Sequence, residues 1–150
     1  MAKRPQQKVE RKYIVEWVER NYPRPLAKLY NVRLGTVPQA IRASAPGQPA
    51  SFFRTSLSYA DAVVVTEDEI LVIEAKIYEP EKGIGQLNRY ARLIPTSPDL
   101  QIWGSRPVKK ILVTWRSTFP IVDEANHNGV SIVIFRPPWI EPILRSRNLL

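Results

Sequence analysis

Two charged residues interrupt the most apolar run of the chain, and a third sits in the run before it. In Ile70-Leu71-Val72-Ile73-Glu74-Ala75-Lys76-Ile77-Tyr78 the only charges are Glu74 and Lys76, two residues apart. In a strand that spacing puts both side chains on one face and Leu71, Ile73, Ala75 and Ile77 on the other. One face is then core and the other carries chemistry. The preceding β-rich run, Tyr59 to Val65, holds Asp61, and the polar Thr66-Glu67-Asp68-Glu69 joins the two runs, so they read as a tight antiparallel hairpin. With the turn centred between Glu67 and Asp68, cross-strand partners have numbers that sum to 135, which sets Asp61 opposite Glu74. Opposed residues hold their Cβ atoms about 4.5–5.5 Å apart, where two carboxylates repel. A divalent cation bridging them removes the conflict with the hard oxygen ligands that Mg²⁺ prefers. Lys76, one step further on the same face, would then steady an attacking water or developing negative charge. A one-residue slip would separate the two acids onto opposite faces. A plainer interpretation, in which Lys76 neutralises Glu74 on a wet sheet face and Asp61 merely starts a strand, stands beside this one on spacing alone.

A further acid comes from the first helical segment. Residues 8 to 20 repeat apolar side chains at Val9, Tyr13, Ile14, Trp17 and Val18, an amphipathic spacing. Glu10 falls near the middle of that apolar arc. A carboxylate facing inward is costly unless paired or metal-bound, so Glu10 is either a metal ligand or the partner of a buried arginine, unless it lies past the packed part of the helix. Glu16 and Glu19 read as solvated.

The elements around these residues follow from the same patterning. Residues 22 to 50 are rich in Pro and Gly, with a helix start at Thr36-Val37-Pro38 and a break at Ala45-Pro46-Gly47-Gln48-Pro49. After the hairpin, Gly83-Ile84-Gly85 leads into a helix of about residues 85 to 94, stopped by Pro95. Lys109 to Trp115 is a buried-type strand, about 118 to 128 a helix closed by Gly129, and Val130 to Phe135 a further strand. This β-α-β unit implies two parallel strands. Trp139 and Ile140, after Pro137-Pro138, read as a segment docked on the core or on a partner subunit. The chain is expected to form one domain over 1–150, with a basic N-terminal tail of about 1–7 and a C-terminal tail of about 137–150. His127, the only histidine, precedes Gly129 and reads as part of a helix cap.

Charge and composition narrow the function. The net charge of +8 is uneven: residues 66 to 81 carry six acids against Lys76 alone, inside an otherwise basic chain. Basic surface suits a polyanion, and a local acid cluster within it suits a divalent cation. Arg11, Lys12, Arg42, Arg54, Lys82 and Arg89 are candidate DNA contacts. Cysteine is absent, which excludes disulfides, thiolate zinc sites and a cysteine nucleophile. No P-loop or Ser/His/Asp set is present, so a nucleotide cofactor and acyl transfer lack support. No secretory signal or bilayer span is legible, so an intracellular, nucleoid-associated or virion setting is expected.

Asp61, twelve intervening residues and then Glu74-Ala75-Lys76 resemble the PD-(D/E)XK nuclease motif, with Ala60 where the label has proline. Gln86 and Tyr90, at i and i+4 in Gly85-Gln86-Leu87-Asn88-Arg89-Tyr90, are similar to the Q-x-x-x-Y signature of the RecB-type branch. The resemblance covers roughly residues 8 to 115. It implies an α/β restriction-endonuclease-like fold, a mixed β-sheet flanked by helices. Its αβββαβ core would take its first strand from about Ser51 to Arg54 and carry a C-terminal αβ extension. It further implies Mg²⁺-dependent phosphodiester hydrolysis, Mn²⁺ substituting, with Asp61, Glu74 and the first-helix Glu10 as metal ligands. Lys76 would position water or stabilise charge, and Gln86 and Tyr90 would support the site or meet the DNA backbone. Endonuclease action on DNA is the leading expectation. A nuclease-fold DNA-binding or viral head or neck assembly protein without catalysis, and a dimeric junction-resolving or transposition-type nuclease, are the competitors, with homo-oligomer formation left open.

Overall fold

The structure is a computed structural model and describes residues 5–36, 43–48 and 58–150. Its centre is a five-stranded sheet in the order β1-β2-β3-β4-β5, made of β1 (Ala27–Leu34), β2 (Ser58–Val65), β3 (Ile70–Ala75), β4 (Val108–Thr114) and β5 (Val130–Ile134). The first three strands are antiparallel neighbours, and β3, β4 and β5 run parallel. Helices α1 (Pro5–Asn21), α2 (Pro80–Leu93), α3 (Phe119–His127) and α4 (Glu141–Ser146) cover the sheet. The result is the expected mixed sheet, with the expected αβββαβ order followed by αβ. No helix among the described residues is long and apolar enough to cross a membrane.

Strand parity sorts the core into two layers. Ala62, Val64, Leu71, Ile73, Ala75 and Ile77 pack against Tyr13, Ile14, Trp17 and Val18 of α1 and against Ile140 and Leu144. Val63, Val65, Ile70 and Val72 face the opposite way, towards Ile84, Leu87 and Tyr90 of α2. Removing each such Ile, Leu or Val side chain from water contributes about 1.5–3 kcal/mol, which holds both helices to a strand that is apolar on both faces. The β2–β3 register is Ala62↔Ile73, Val63↔Val72, Val64↔Leu71 and Val65↔Ile70, every pair on the sum expected from the hairpin.

Several boundaries differ from the sequence reading. The first strand among the described residues is Ala27–Leu34, inside the Pro/Gly-rich stretch; Ser51 to Arg54, where the sequence reading sets it, lies outside the described residues. Its signal is alternation: Val32 and Leu34 are buried while Asn31 and Arg33 are exposed. The helix expected from residue 85 begins at Pro80, because Pro at the first helical position fits the helix and Gly83 and Gly85 do not break it. Residues 5–7 belong to α1; the rest of the expected N-terminal tail lies outside the described residues. The expected C-terminal tail is folded: Trp139 donates its indole N–H to Glu16 Oε2 at 2.8 Å, and Ile140 and Leu144 are fully buried in this chain's own core. Glu16 and Glu19 accordingly have partners, Glu19 accepting from Lys28 and from Tyr30. His127 ends α3, and Asn128 and Gly129, at φ 64°, close the turn.

Candidate active site

Asp61 extends the row Val65, Val63 on β2, and Glu74 and Lys76 extend the row Ile70, Val72 on β3. All three therefore emerge on the α2 side, at the end of the sheet where the apolar rows stop. The charged groups occupy only this end of the face; Ile70 and Val72, on the same face, are core.

At Asp61 the backbone ladder gives way to side chains. The paired register ends at Ala62↔Ile73. One step further, the Asp61 backbone N–H donates to Glu74 Oε1 at 3.1 Å, and the Ala75 N–H donates to Asp61 Oδ2 at 2.9 Å. The two carboxylates thus occupy the seam between the strands, each held by the other strand's backbone. On the other side of β2 the register with β1 skips Asn31, the residue facing Asp61. Asn31 has φ 52°, a left-handed conformation that Asn adopts more readily than most residues. Asp61 is thus left out of both ladders while remaining inside β2.

The electrostatics follow from burial. Glu74 is 2% exposed, and burial followed by the like charge of Asp61 pushes its carboxyl well above the ordinary range, against the opposing pull of Lys76. Asp61 is raised as well, by burial, with the Ala75 N–H and the Lys76 charge drawing it back. Lys76 Nζ lies 3.6 Å from Glu74 Oε2, one ammonium group serving two acids. Glu10 reaches the same region from α1, where its Oε2 accepts the Ile77 N–H at 2.7 Å. Its carboxyl is raised by burial, and the charges of Lys76 and Asp61 both act on it.

Helix α2 forms the wall over these groups. Its approach depends on Gly83, where a Cβ would stand 2.5 Å from Leu112 Cδ1 and 3.3 Å from Lys76 Cγ. The Tyr90 phenol is raised first by burial and then by Glu74 and Asp61, so it faces the acids. Gln86 Oε1 is buried and has no hydrogen-bond partner, an unmet acceptor in the same wall.

Of the expected nucleic-acid contacts among the described residues, Arg11 is the one whose charge acts on Asp61. It lies over the Tyr30 ring at 5.5 Å, and its charge lowers Asp61. Lys12 lies over the Trp139 ring at 4.2 Å, Lys82 pairs with Glu79 at 2.8 Å, and Arg89 is an exposed residue of α2 next to Tyr90. Arg42 and Arg54 lie outside the described residues. Asn31, Tyr78 and Arg147 escaped the sequence reading; of these, only Asn31 left a trace, a turn-favouring residue inside an alternating run.

The donor set suits a hard divalent cation. It comprises two opposed carboxylates, without a soft ligand nearby. Among the described residues no group of three or more Asp, Glu or His side chains is arranged to hold an ion by itself; Glu10 is turned to the Ile77 backbone. Mg²⁺ is commonly held by one or two carboxylates with water and substrate phosphate completing its shell, so the pair meets its usual requirement.

The mixed sheet with this helix order is a restriction-endonuclease-like fold. Among solved structures, a repair endonuclease from Pyrococcus abyssi matches with a TM-score of 0.53 at 16% identity, over 92% of this chain and 50% of that one. A complex of EndoMS with dsDNA matches at a TM-score of 0.48 and 16% identity, over 92% of this chain and 48% of that one. The chain spans about half the length of each. No family model and no curated protein matches it.

Proposed function

We propose that the chain is a divalent-metal-dependent DNA nuclease acting as an endonuclease, with Asp61 and Glu74 as cation ligands and Lys76 as the cationic catalytic group. One observation carries the proposal: a buried glutamate and a half-buried aspartate share the seam where the β2–β3 ladder ends, with a single ammonium group beside them, an arrangement that is electrostatically costly until a cation joins it. A carboxylate pair serving only the fold would gain by replacement with apolar or amide groups. The basic surface around this acidic seam supplies the matching polarity for DNA. The fold is shared with a protein named as a repair endonuclease, which agrees with cutting within a strand.

The reaction is hydrolysis of a phosphodiester. A water oxygen bonds to phosphorus, the bond from phosphorus to one ester oxygen breaks, and the leaving oxygen gains a proton. When bound, Mg²⁺, or Mn²⁺ in its place, lowers the pKa of its water and screens phosphate charge. Lys76 donates N–H to the incoming water or to a non-bridging oxygen, where negative charge grows. Glu10 holds the backbone just past Lys76 through the Ile77 N–H, which fixes the direction of that side chain; turned from it, Glu10 is a third oxygen ligand. Gln86 offers its free carbonyl oxygen, and Tyr90 its phenol O–H, to the wall facing the phosphate. Arg11, Lys12, Arg42, Arg54, Lys82 and Arg89 are contacts for the DNA backbone.

The test is incubation with supercoiled, linear and single-stranded DNA, with and without Mg²⁺, for the wild type, Glu74→Ala and Lys76→Ala. Cleavage that needs Mg²⁺ and disappears in both variants is expected. Metal-dependent cutting that survives in either variant contradicts the assignment. A second function, DNA binding on a nuclease fold without cleavage, is favoured by the missing third carboxylate in the seam. Tight binding with no cleavage in Mg²⁺ or Mn²⁺ would establish it.

A further inference from the structure

We infer that Arg147 and Arg11 form a two-point grip on the sugar-phosphate backbone of duplex DNA, one guanidinium on each side of the acid seam. The identity of the ligand rests on the nuclease proposal; the grip itself rests on four features of the surface.

The first is placement. Arg147 lies over the ring of Tyr78, 5.8 Å from its centroid, as Arg11 lies over Tyr30 at 5.5 Å. Across the sheet, Tyr30 is on β1, Asp61 on β2 and Glu74 on β3, while Tyr78 follows Lys76 by two residues. Both tyrosines pack on the α1 side of the sheet, so the stacked pairs flank the seam in strand order at the sheet end where the acids emerge, on the face opposite α2.

The second is that both cations are free to bind an anion. Arg20, Arg33 and Arg136 are paired with Glu16, Asp99 and Glu141. Among the described residues, neither Arg11 nor Arg147 forms an ion pair with a carboxylate. Stacking on a ring uses the face of a guanidinium and leaves its N–H edge available for a bidentate phosphate contact.

The third is that Arg147 is held by a built turn. Leu144 is fully buried and Leu149 packs on the same core cluster. Between them Asn148 takes φ 54°, and the Leu149 N–H donates to the Leu144 carbonyl at 2.8 Å, the 6→1 closure of a Schellman turn. Arg147 sits inside this closed turn, so its starting direction is fixed before any ligand arrives.

The fourth is charge complementarity. The carboxylate seam alone repels a polyanion, and cations at its two margins offset that repulsion where the strand enters and leaves.

The test measures duplex binding by fluorescence anisotropy in EDTA, as a function of salt, for the wild type, Arg147→Ala, Arg11→Ala and their double variant. Lys109→Ala is the control; it removes the same charge from an exposed site at the opposite end of β4. Each arginine variant is expected to weaken binding about 3- to 10-fold and to lower the slope of log K against log salt by about 0.9, the double variant by about twice that. Lys109→Ala is expected to leave the slope unchanged, and the unfolding midpoint of Arg147→Ala should match the wild type. An Arg147→Ala protein that binds like Lys109→Ala, or a wild type that does not bind duplex, overturns the grip. A wild type that binds with these slopes but fails to cut supercoiled DNA in Mg²⁺ sinks the nuclease proposal and leaves the grip standing.

Discussion

Replacing Glu74 with glutamine keeps the shape of the seam and removes one charge. The Asp61 N–H still meets a side-chain oxygen, and Asp61 keeps its bond from Ala75. At about 5 Å and an effective dielectric of about 20, the repulsion from Asp61 is about 3 kcal/mol. The attraction to Lys76, at 3.6 Å, is about 5 kcal/mol on the same scale, so it exceeds the repulsion by about 1–2 kcal/mol. Lys76 retains Asp61 as a counter-ion, while the cost of holding an ionised carboxylate 2% exposed, several kcal/mol before hydrogen bonds, disappears. Without metal at pH 8, Glu74→Gln is expected to be more stable than the wild type by about 1–3 kcal/mol, a rise in Tm of about 3–9 °C for a chain of this size. The pH dependence has a definite sign. Glu74 is raised in the fold, so the stability it contributes is fully present below the ordinary glutamate range and is lost as pH rises through its folded value. The variant's advantage should therefore vanish near pH 4 and grow towards pH 8. Thermal unfolding in EDTA across that range reads it directly. Addition of Mg²⁺ should raise the wild-type Tm and leave that of the variant little changed. A Glu74→Gln protein less stable than the wild type at pH 8 would refute the claim that burial and repulsion dominate this seam.

Other outcomes follow from single contacts. Gly83→Ala places a methyl group against Leu112 and Lys76; a loss of about 1–3 kcal/mol is expected in chemical denaturation, with activity falling further than Ser substituted at the open Gly85 would cause. Asn31→Gly should retain stability and Mn²⁺ affinity, because glycine takes φ 52° without strain. Asn31→Val should lose about 1–3 kcal/mol and bind Mn²⁺ more weakly in calorimetric titration; equal behaviour of the two variants would remove Asn31 from the site. Leu144→Ala, at a fully buried position, should cost about 2–5 kcal/mol in urea unfolding and loosen the turn that carries Arg147.

The hairpin and its acids were legible because two patterns constrain each other. Alternation fixes which residues of each strand share a face, and the short polar turn fixes the register, so Asp61 and Glu74 could meet only if both were right. The first strand was hidden for a local reason. Ala27–Leu34 carries Lys28, Asn31 and Arg33 between prolines and a glycine, and only Val32 and Leu34 are well buried, so its strand signal is two residues long. The start of α2 was obscured by Gly83 and Gly85, although Gly83 is there for close approach to Lys76 and Leu112. The parting of the strands at Asp61 could not be read either, since side-chain-to-backbone bonds across the seam leave no periodic mark. Arg147 lay further out of reach: its partner Tyr78 is distant in sequence, and the short helix that carries it follows Pro137 and Pro138, where a tail is the natural expectation.

The most direct measurement is the anomalous scattering of a crystal soaked in Mn²⁺. A peak lying between the carboxylates of Asp61 and Glu74, at coordination distance of about 2.0–2.3 Å from an oxygen of each and absent from Glu74→Gln crystals, is the expected result. Manganese bound elsewhere, or an empty seam with both acids held only by backbone and Lys76, would contradict it.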